Sequence, residues 1–79
     1  MHSNYDNYLQ HNKNVLQFLK DRIQGFNDEI EMCKNELELL DYETEQEIYR
    51  GDFLKKNIED LRYSIDAFQL SIDNLKDRG

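Results

Sequence analysis

Few side chains in this sequence have the chemistry for metal binding or nucleophilic catalysis: two histidines, His2 and His11, and one cysteine, Cys33. The histidines are nine residues apart, so they do not share a helix face at the four-residue spacing of helical zinc sites. A nucleophilic thiol needs an exposed, electropositive setting, whereas Glu29 and Glu36 lie one turn from Cys33. We therefore expect surface histidines and a cysteine that packs as a small core residue.

Other signatures of enzymes and ligand sites are also missing from the sequence. The three glycines, Gly25, Gly51 and Gly79, are isolated, so no glycine-rich phosphate loop is present. The carboxylates between Asp28 and Glu47 lack the spacing and the central glycine of a calcium-binding EF-hand loop. General acid–base catalysis needs a desolvated cleft, which a chain of 79 residues is too small to build alone. The sequence thus predicts no enzyme activity, no metal site and no cofactor.

Carboxylates are concentrated in the middle of the chain. Residues 1–27 carry a net charge of +1, residues 28–49 carry −8, and residues 50–79 are neutral. Such a dense acidic segment repels phosphate backbones, so we expect no direct nucleic-acid binding. The carboxylates are predicted either to cover a solvated helix face or to bind a basic partner.

The sequence favours a reducing compartment. A single cysteine cannot form an internal disulfide, and no N-terminal segment has the composition of a signal peptide. No apolar run approaches the roughly 20 residues that a membrane span requires. We therefore expect a cytoplasmic protein that does not bind membranes. The many Asn, Lys, Ile and Tyr residues hint at an AT-rich genome, such as that of a low-GC bacterium or its phage.

Apolar residues recur with a seven-residue period from Leu9 to Leu75, and this is the dominant signal in the sequence. Sixteen of the twenty a and d positions in one unbroken heptad frame, with Leu9 at a, are apolar. The frame predicts an all-α, coiled-coil-type protein whose helices pack along this seam, within the chain or between copies. Besides Leu9 and Cys33, the seam residues are Leu16, Leu19, Ile23, Phe26, Ile30, Leu37, Leu40, Leu54, Ile58, Leu61, Ile65, Phe68, Ile72 and Leu75.

Gly51 predicts where the chain turns. It follows Arg50 and precedes Asp52, the order expected when one helix ends on Gly and the next begins with an Asp cap. The prediction is a single helical domain, a hairpin with helices over about 5–49 and 52–77 and a turn at about 50–52. The seam, however, continues without a shift from Leu40 to Leu54, which favours instead a continuous rod about 100 Å long.

Gly25 offers a second possible break, because Asp28 and Glu31 follow it with the spacing of a capping box. A break there would give a three-helix bundle with helices over about 5–24, 28–49 and 52–77. Gly25 also falls on a solvent-facing c position while Ile23 and Phe26 continue the seam, which favours an uninterrupted helix. The charges at the e and g positions leave parallel and antiparallel pairing open.

A second stripe of apolar residues occupies c and f positions, which should face water. Its members are Phe18, Met32, Leu39, Tyr42, Tyr49, Phe53, Tyr63, Ala67 and Leu70. A helix with apolar residues on two faces usually contacts more than one neighbour. We predict that the stripe is either core, within a bundle or between copies, or a binding surface. Its tyrosines favour a binding surface, because Tyr combines contact area with a polar tip.

The sequence does not identify the function, and three hypotheses remain. The first is a small acidic interaction module that forms homo-oligomers through the seam and binds a protein partner with a basic or apolar groove. The second is an acidic inhibitor or decoy, in the manner of phage proteins, that blocks the nucleic-acid-binding surface of a target. The third is a structural spacer or scaffold. The candidate partner surface comprises Glu36, Glu38, Leu39, Tyr42, Glu43, Glu45, Tyr49, Phe53 and Tyr63.

Overall fold

The computed structural model describes the backbone of residues 2–78 and the side chains of residues 10–76. Two helices, α1 (His2–Leu39) and α2 (Glu45–Arg78), are joined by residues 40–44 and pack against each other antiparallel. The described chain is therefore the predicted all-α hairpin, 67 Å long, and the continuous rod is wrong. The side chains of His2 and Leu9 lie outside the described residues.

The heptad seam forms the interior of the hairpin. Among the described side chains, all buried hydrophobic ones lie at a or d positions: Ile30, Cys33, Leu54, Ile58, Leu61 and Ile72. Nearer the open end, Phe26 and Phe68 contact each other across the seam with ring centroids 5.5 Å apart. The seam thus closes within one chain, and Cys33 is a core residue as expected.

Burial is deepest in the half of the hairpin nearer the loop, where Ile30, Cys33, Leu54, Ile58 and Leu61 form one cluster. Towards the open end most seam residues, such as Leu16 and Leu19, are only half-buried. Two helices cover the seam from two sides only, and no third element of the described chain adds another layer.

The turn lies at residues 40–44, so the prediction of a turn at 50–52 is wrong. Thr44 caps α2, because its Oγ1 accepts a hydrogen bond from the Glu47 N–H (3.1 Å) and donates one to Glu47 Oε1 (3.1 Å). Glu47 Oε2 also accepts a hydrogen bond from the Asp41 N–H (3.0 Å). Thr44 and Glu47 therefore interrupt the apolar seam because they form a capping box that starts the second helix.

Gly51 lies inside α2 and is buried beneath the ring of Tyr42, a loop residue with a left-handed φ of 58°. A Cβ at position 51 would lie 2.5 Å from Cε1 of Tyr42 and 3.2 Å from its Cζ. The Lys55 Nζ lies 5.6 Å from the centroid of the same ring. Glycine at this a position thus makes room for an aromatic side chain from the loop, which fills the seam instead.

Helix α1 continues through Gly25, so the three-helix alternative is wrong. A Cβ at Gly25 would meet no atom within 4 Å, in agreement with a solvent-facing c position. Since the α-helix tolerates a single exposed glycine at a cost of about 1 kcal/mol relative to Ala, the glycine alone does not end the helix.

Antiparallel pairing gives the two long edges of the hairpin different characters. The e positions of both helices line one edge, which we call the basic edge, and the c and g positions line the opposite one, which we call the grooved edge. Six exposed bases occupy the basic edge: Lys13, Lys20, Lys34, Lys55, Arg62 and Lys76. Their repulsion across the edge is weak because long side chains extend into water. Lys34, for example, also has Glu31 and Glu38 one turn away in the same helix.

Candidate protein-interaction surfaces

More large apolar side chains face water than the hairpin buries. Six hydrophobic residues are buried, whereas nine large ones among the described side chains are between 41% and 80% exposed. These nine are Phe18, Met32, Leu39, Tyr42, Ile48, Tyr49, Phe53, Tyr63 and Leu70. All except Ile48 belong to the second stripe predicted from the sequence. Within one chain, the stripe is therefore surface rather than core.

One group of candidate residues gathers where the chain turns. We define the loop-end surface as Glu38, Leu39, Glu43, Glu45 and Tyr49, from the end of α1, the loop and the first turns of α2. Leu39 is 80% and Tyr49 73% exposed, and the three glutamates at this end of the hairpin are exposed as well. This surface combines two uncovered apolar side chains with a surplus of negative charge.

Tyr42, which the sequence assigned to the same surface, has mainly a structural role. Its ring covers Gly51 and lies beside the Lys55 ammonium group, which leaves 41% of the residue exposed. Tyr42 therefore borders the loop-end surface and contributes part of its ring to it.

Glu36 is not a free carboxylate, because Arg50 pairs with it. The Arg50 guanidinium donates hydrogen bonds from Nε and Nη2 to the two Glu36 carboxylate oxygens, the second over 2.9 Å. It also lies 5.3 Å from the centroid of the Phe53 ring. The hydrogen bonds from Arg50 hold the pKa of Glu36 below its ordinary value. In return, the Glu36 carboxylate raises the pKa of Arg50.

Glu47 is likewise engaged in the structure of the turn. The backbone N–H of Asp41 donates to its carboxylate and lowers the pKa of Glu47, and the hydroxyl of Thr44 adds to this effect. Three of the nine acids of the segment 28–49 thus have defined partners, because Asp28 also accepts a hydrogen bond from the Gln24 side chain (3.0 Å). The exposed carboxylates of Glu38, Glu43 and Glu45 supply the charge of the loop-end surface.

Tyr63 stands apart from the other candidate residues. It lies fourteen residues after Tyr49 in the same helix, which corresponds to about 21 Å along the axis. Glu36 and Phe53 face the grooved edge, where they line a groove. The candidate surface predicted from the sequence is therefore three separate places on the hairpin.

On the grooved edge, two grooves between α1 and α2 stand out among the described residues, and sequence reasoning missed both. Groove 1, near the open end, has a volume of about 400 Å³ and is lined by Val15, Leu19, Ser71, Asn74 and Leu75. Groove 2 has a volume of about 280 Å³ and is lined by Glu29, Met32, Cys33, Glu36, Arg50, Phe53, Leu54 and Asn57.

The grooves arise from short side chains at the g positions of α2. Asn57 and Ser71 leave seam residues open to the edge, and Asn57 Nδ2 donates a weak hydrogen bond to the Cys33 Sγ at 3.5 Å. On the basic edge, by contrast, long Lys and Arg side chains hold the equivalent positions. The contrast between short g residues and long e residues was the sequence signal for the grooves.

The described side chains include no group of three or more His, Cys, Asp or Glu residues arranged to hold a metal ion. Neither α1 nor α2, over the part of each that is described, has an apolar stretch long enough to cross a bilayer.

Comparison of the chain with protein-family models, with curated proteins and with solved structures yields no match.

Proposed function

We propose that this protein is a small helical interaction module that binds another protein through its loop-end surface. The main support is the exposure of Leu39 and Tyr49, 80% and 73%, on a hairpin that buries only six described hydrophobic residues. Large apolar side chains that stay exposed at one end of a small hairpin are typical of a binding site. Tyr is enriched in protein interfaces because its ring buries area while its hydroxyl stays hydrogen-bonded.

The charges around these two residues define the partner's chemistry. Glu38, Glu43 and Glu45 are exposed, so the surface fits an apolar pocket bordered by Lys or Arg. Rim charges of this kind mainly raise the association rate and make binding sensitive to salt, while the buried apolar groups supply most of the affinity. Such a partner would lose affinity on truncation of Tyr49 and associate more slowly at high ionic strength.

The test is affinity capture with the full chain in cells that naturally make it, comparing the wild type with Tyr49→Ala and Leu39→Ala. We expect each variant to lose at least about tenfold of the captured partner, since an interface anchor contributes 1.4 kcal/mol or more. Leu70→Ala is the matched control, because Leu70 is 62% exposed but lies far along α2. Equal capture by all four proteins, with unchanged circular dichroism, would refute the proposal.

A second candidate is an acidic antagonist of a nucleic-acid-binding protein. It is favoured by the exposed acids at the loop end, including Asp41. Triple charge reversal at Glu38, Glu43 and Glu45 discriminates the two proposals. An antagonist would lose competition with DNA for its target, whereas an interaction anchored by Leu39 and Tyr49 would keep most of its affinity and associate more slowly.

A further inference from the structure

The α1 side of the grooved edge has an internal symmetry about Gly25. Its c and g positions alternate at spacings of four and three residues, through Phe18, Arg22, Gly25, Glu29 and Met32. Phe18 lies seven residues before the glycine and Met32 seven residues after it, about 10 Å along the helix in each direction. Arg22 and Glu29 lie between, one on each side. If a second, antiparallel copy of this stripe faces the first at Gly25, Phe18 therefore lies opposite Met32, and Arg22 lies opposite Glu29.

The two grooves have the same symmetry. Groove 1 is lined on α1 by Val15 and Leu19, on either side of Phe18. Groove 2 is lined on α1 by residues on either side of Met32 and Cys33. The α1 walls of the two grooves are therefore about equally far from Gly25, and an exposed apolar side chain of α1, Phe18 or Met32, lies at each.

Between the grooves, at the level of Gly25, the side chains on the grooved edge project little from the helix backbones. A Cβ at Gly25 would meet no atom within 4 Å, and the contact between Phe26 and Phe68 places Ala67 of α2 at about the same level. The c and g residues of α2 nearest this level, Ser64, Ala67 and Ser71, all have short side chains. Another helix can therefore approach the backbone of α1 closely at this point, as it does where small residues line helix crossings.

The two charged residues beside the glycine are exposed, and among the described side chains neither takes part in an ion pair. The Arg22 guanidinium lies 5.1 Å from the centroid of the Phe26 ring of its own helix, and Glu29 borders groove 2. Both groups are thus available to an opposite charge on a molecule docked along the edge.

We propose that a second copy of this chain docks on the grooved edge, antiparallel to the first and related to it by a two-fold axis at Gly25. In a two-fold interface, if one residue contacts another across the axis, the reciprocal contact follows. Phe18 of each copy then enters groove 2 of the other copy, and Met32 of each reaches groove 1 of the other. Arg22 of each copy pairs with Glu29 of the other, which gives two ion pairs. The product is a four-helix assembly whose two basic edges face outwards.

A second copy is the favoured occupant because the α1 side of the edge, from Phe18 to Met32, is complementary to itself in apolarity and in charge. With the axis at Gly25, the two copies overlap along α1 as far as its end at Leu39, fourteen residues or about 21 Å on each side of the glycine. The seam itself closes within each chain, so self-association uses the c and g positions rather than the predicted a and d positions. Tyr49 occupies an f position away from this edge, so its part in partner binding is separable from the dimer.

Charge exchange tests the orientation. We expect the full-length wild type to be a dimer by light scattering after size exclusion, and Arg22→Glu or Glu29→Arg to raise the dimer dissociation constant at least about tenfold, because two like-charge contacts replace two attractive ones. The double variant Arg22→Glu/Glu29→Arg restores the dimer. The control Lys20→Glu changes the net charge by the same amount as Arg22→Glu, but on the basic edge, and it leaves the dimer intact.

Cross-linking tests the position of the axis, where a residue meets its own counterpart. In a Cys33→Ala background, Gly25→Cys forms a disulfide-linked dimer on mild oxidation, whereas Gln24→Cys, on another face, does so far more slowly. A wild type that stays monomeric at millimolar concentration, a double charge variant that fails to recover, or equal cross-linking at positions 24 and 25 would each overturn the proposal. Tyr49→Ala serves to separate the two proposals, because it weakens partner capture and leaves this dimer unchanged.

Discussion

The ring of Tyr42 lies over the backbone of Gly51, in the space where any other residue at position 51 would place its Cβ. One residue belongs to the loop and has a left-handed backbone, and the other lies in the second turn of α2. Their contact fixes the position of the loop relative to the helix that follows it. A glycine that costs helix stability is therefore retained in α2 because it accommodates the ring.

This relationship predicts that the effect of Gly51→Ala depends on Tyr42. On its own, Ala in place of a helical Gly stabilises a helix by about 1 kcal/mol. In the wild type the substitution displaces the ring, so we expect a net loss of about 1 kcal/mol. In a Tyr42→Ala background we expect a gain of about 0.5–1 kcal/mol, because the space is then free. Urea denaturation of the four proteins measures the coupling.

The Tyr42→Ala background is suitable because Ala and Tyr have similar backbone strain in the left-handed region, so the cycle isolates the ring. Coupling close to zero would mean that the ring does not occupy the seam in solution. Gly25→Ala is not a suitable reference for this cycle, since it lies on the proposed dimer face.

The heptad seam could be predicted from sequence because a repeat of apolar residues reports which helix face is buried. Ile30, Leu54 and Ile58 are buried where the frame put them. The repeat does not report where a helix ends, and the frame continues from Leu40 to Leu54 although a turn lies between. By coincidence, the loop of residues 40–44 and the capped first turn of α2 occupy the part of the chain, between Leu40 and Leu54, in which the apolar repeat is interrupted.

The turn lies elsewhere than predicted because the sequence prediction depends on one residue, Gly51, whose neighbours are typical of a helix end. The Thr44–Glu47 capping box, which does mark the start of α2, looks like a defect in the seam when only the heptad repeat is considered. The predicted partner surface proved to be three separate places for the same reason. Until the turn is placed, nothing in the sequence tells that Arg50 lies opposite Glu36, or that Tyr63 is remote from the loop.

The capping box predicts the effect of Thr44→Ala. The substitution removes the acceptor for the Glu47 N–H and the donor to Glu47 Oε1, so we expect a loss of about 1 kcal/mol in the free energy of unfolding. Thr44→Ser keeps the hydroxyl and should stay within about 0.5 kcal/mol of the wild type. Urea denaturation gives both values. Equal losses for the two variants would mean that the methyl group, and not the cap, is what matters.

The lowered pKa of Glu47 predicts a dependence of stability on pH. Folding lowers this pKa. The resulting stabilisation is therefore complete at pH values above about 4.3, the ordinary pKa of Glu in an unfolded chain. It is lost as the pH falls through the lower pKa of the folded state. Glu36 contributes in the same direction, since its pKa is also lowered.

Thermal unfolding between about pH 5 and pH 2.5, across and below the ordinary glutamate pKa, checks this prediction. Glu47→Gln should reduce the decline in melting temperature on acidification, because the variant has no proton to take up at that site. Glu38→Gln is the control, as it removes one carboxylate near the loop that accepts no hydrogen bond among the described residues. If both variants decline as steeply as the wild type, the carboxylate of Glu47 is not held in the folded state.

The small interior predicts a severe effect of Leu54→Ala. Leu54 is 2% exposed in the main cluster, and truncating a buried leucine costs about 2–5 kcal/mol. A core in a chain of this size supplies only about 3–5 kcal/mol of net stability, so we expect the variant to be largely unfolded at 25 °C. Leu70→Ala, a substitution at a 62% exposed site, should change stability by less than about 0.5 kcal/mol.

The thiol of Cys33 provides the measurement. It is buried in the same cluster but also lines groove 2, so the ratio of labelling rates between variants, rather than the wild-type rate alone, reports opening of the hairpin. Labelling should be slow in the wild type and in Leu70→Ala, and fast in Leu54→Ala. Labelling at low protein concentration keeps dimer formation from adding protection. Equal labelling rates in the wild type and in Leu54→Ala would contradict the prediction, because opening of the hairpin would then not limit access to the thiol.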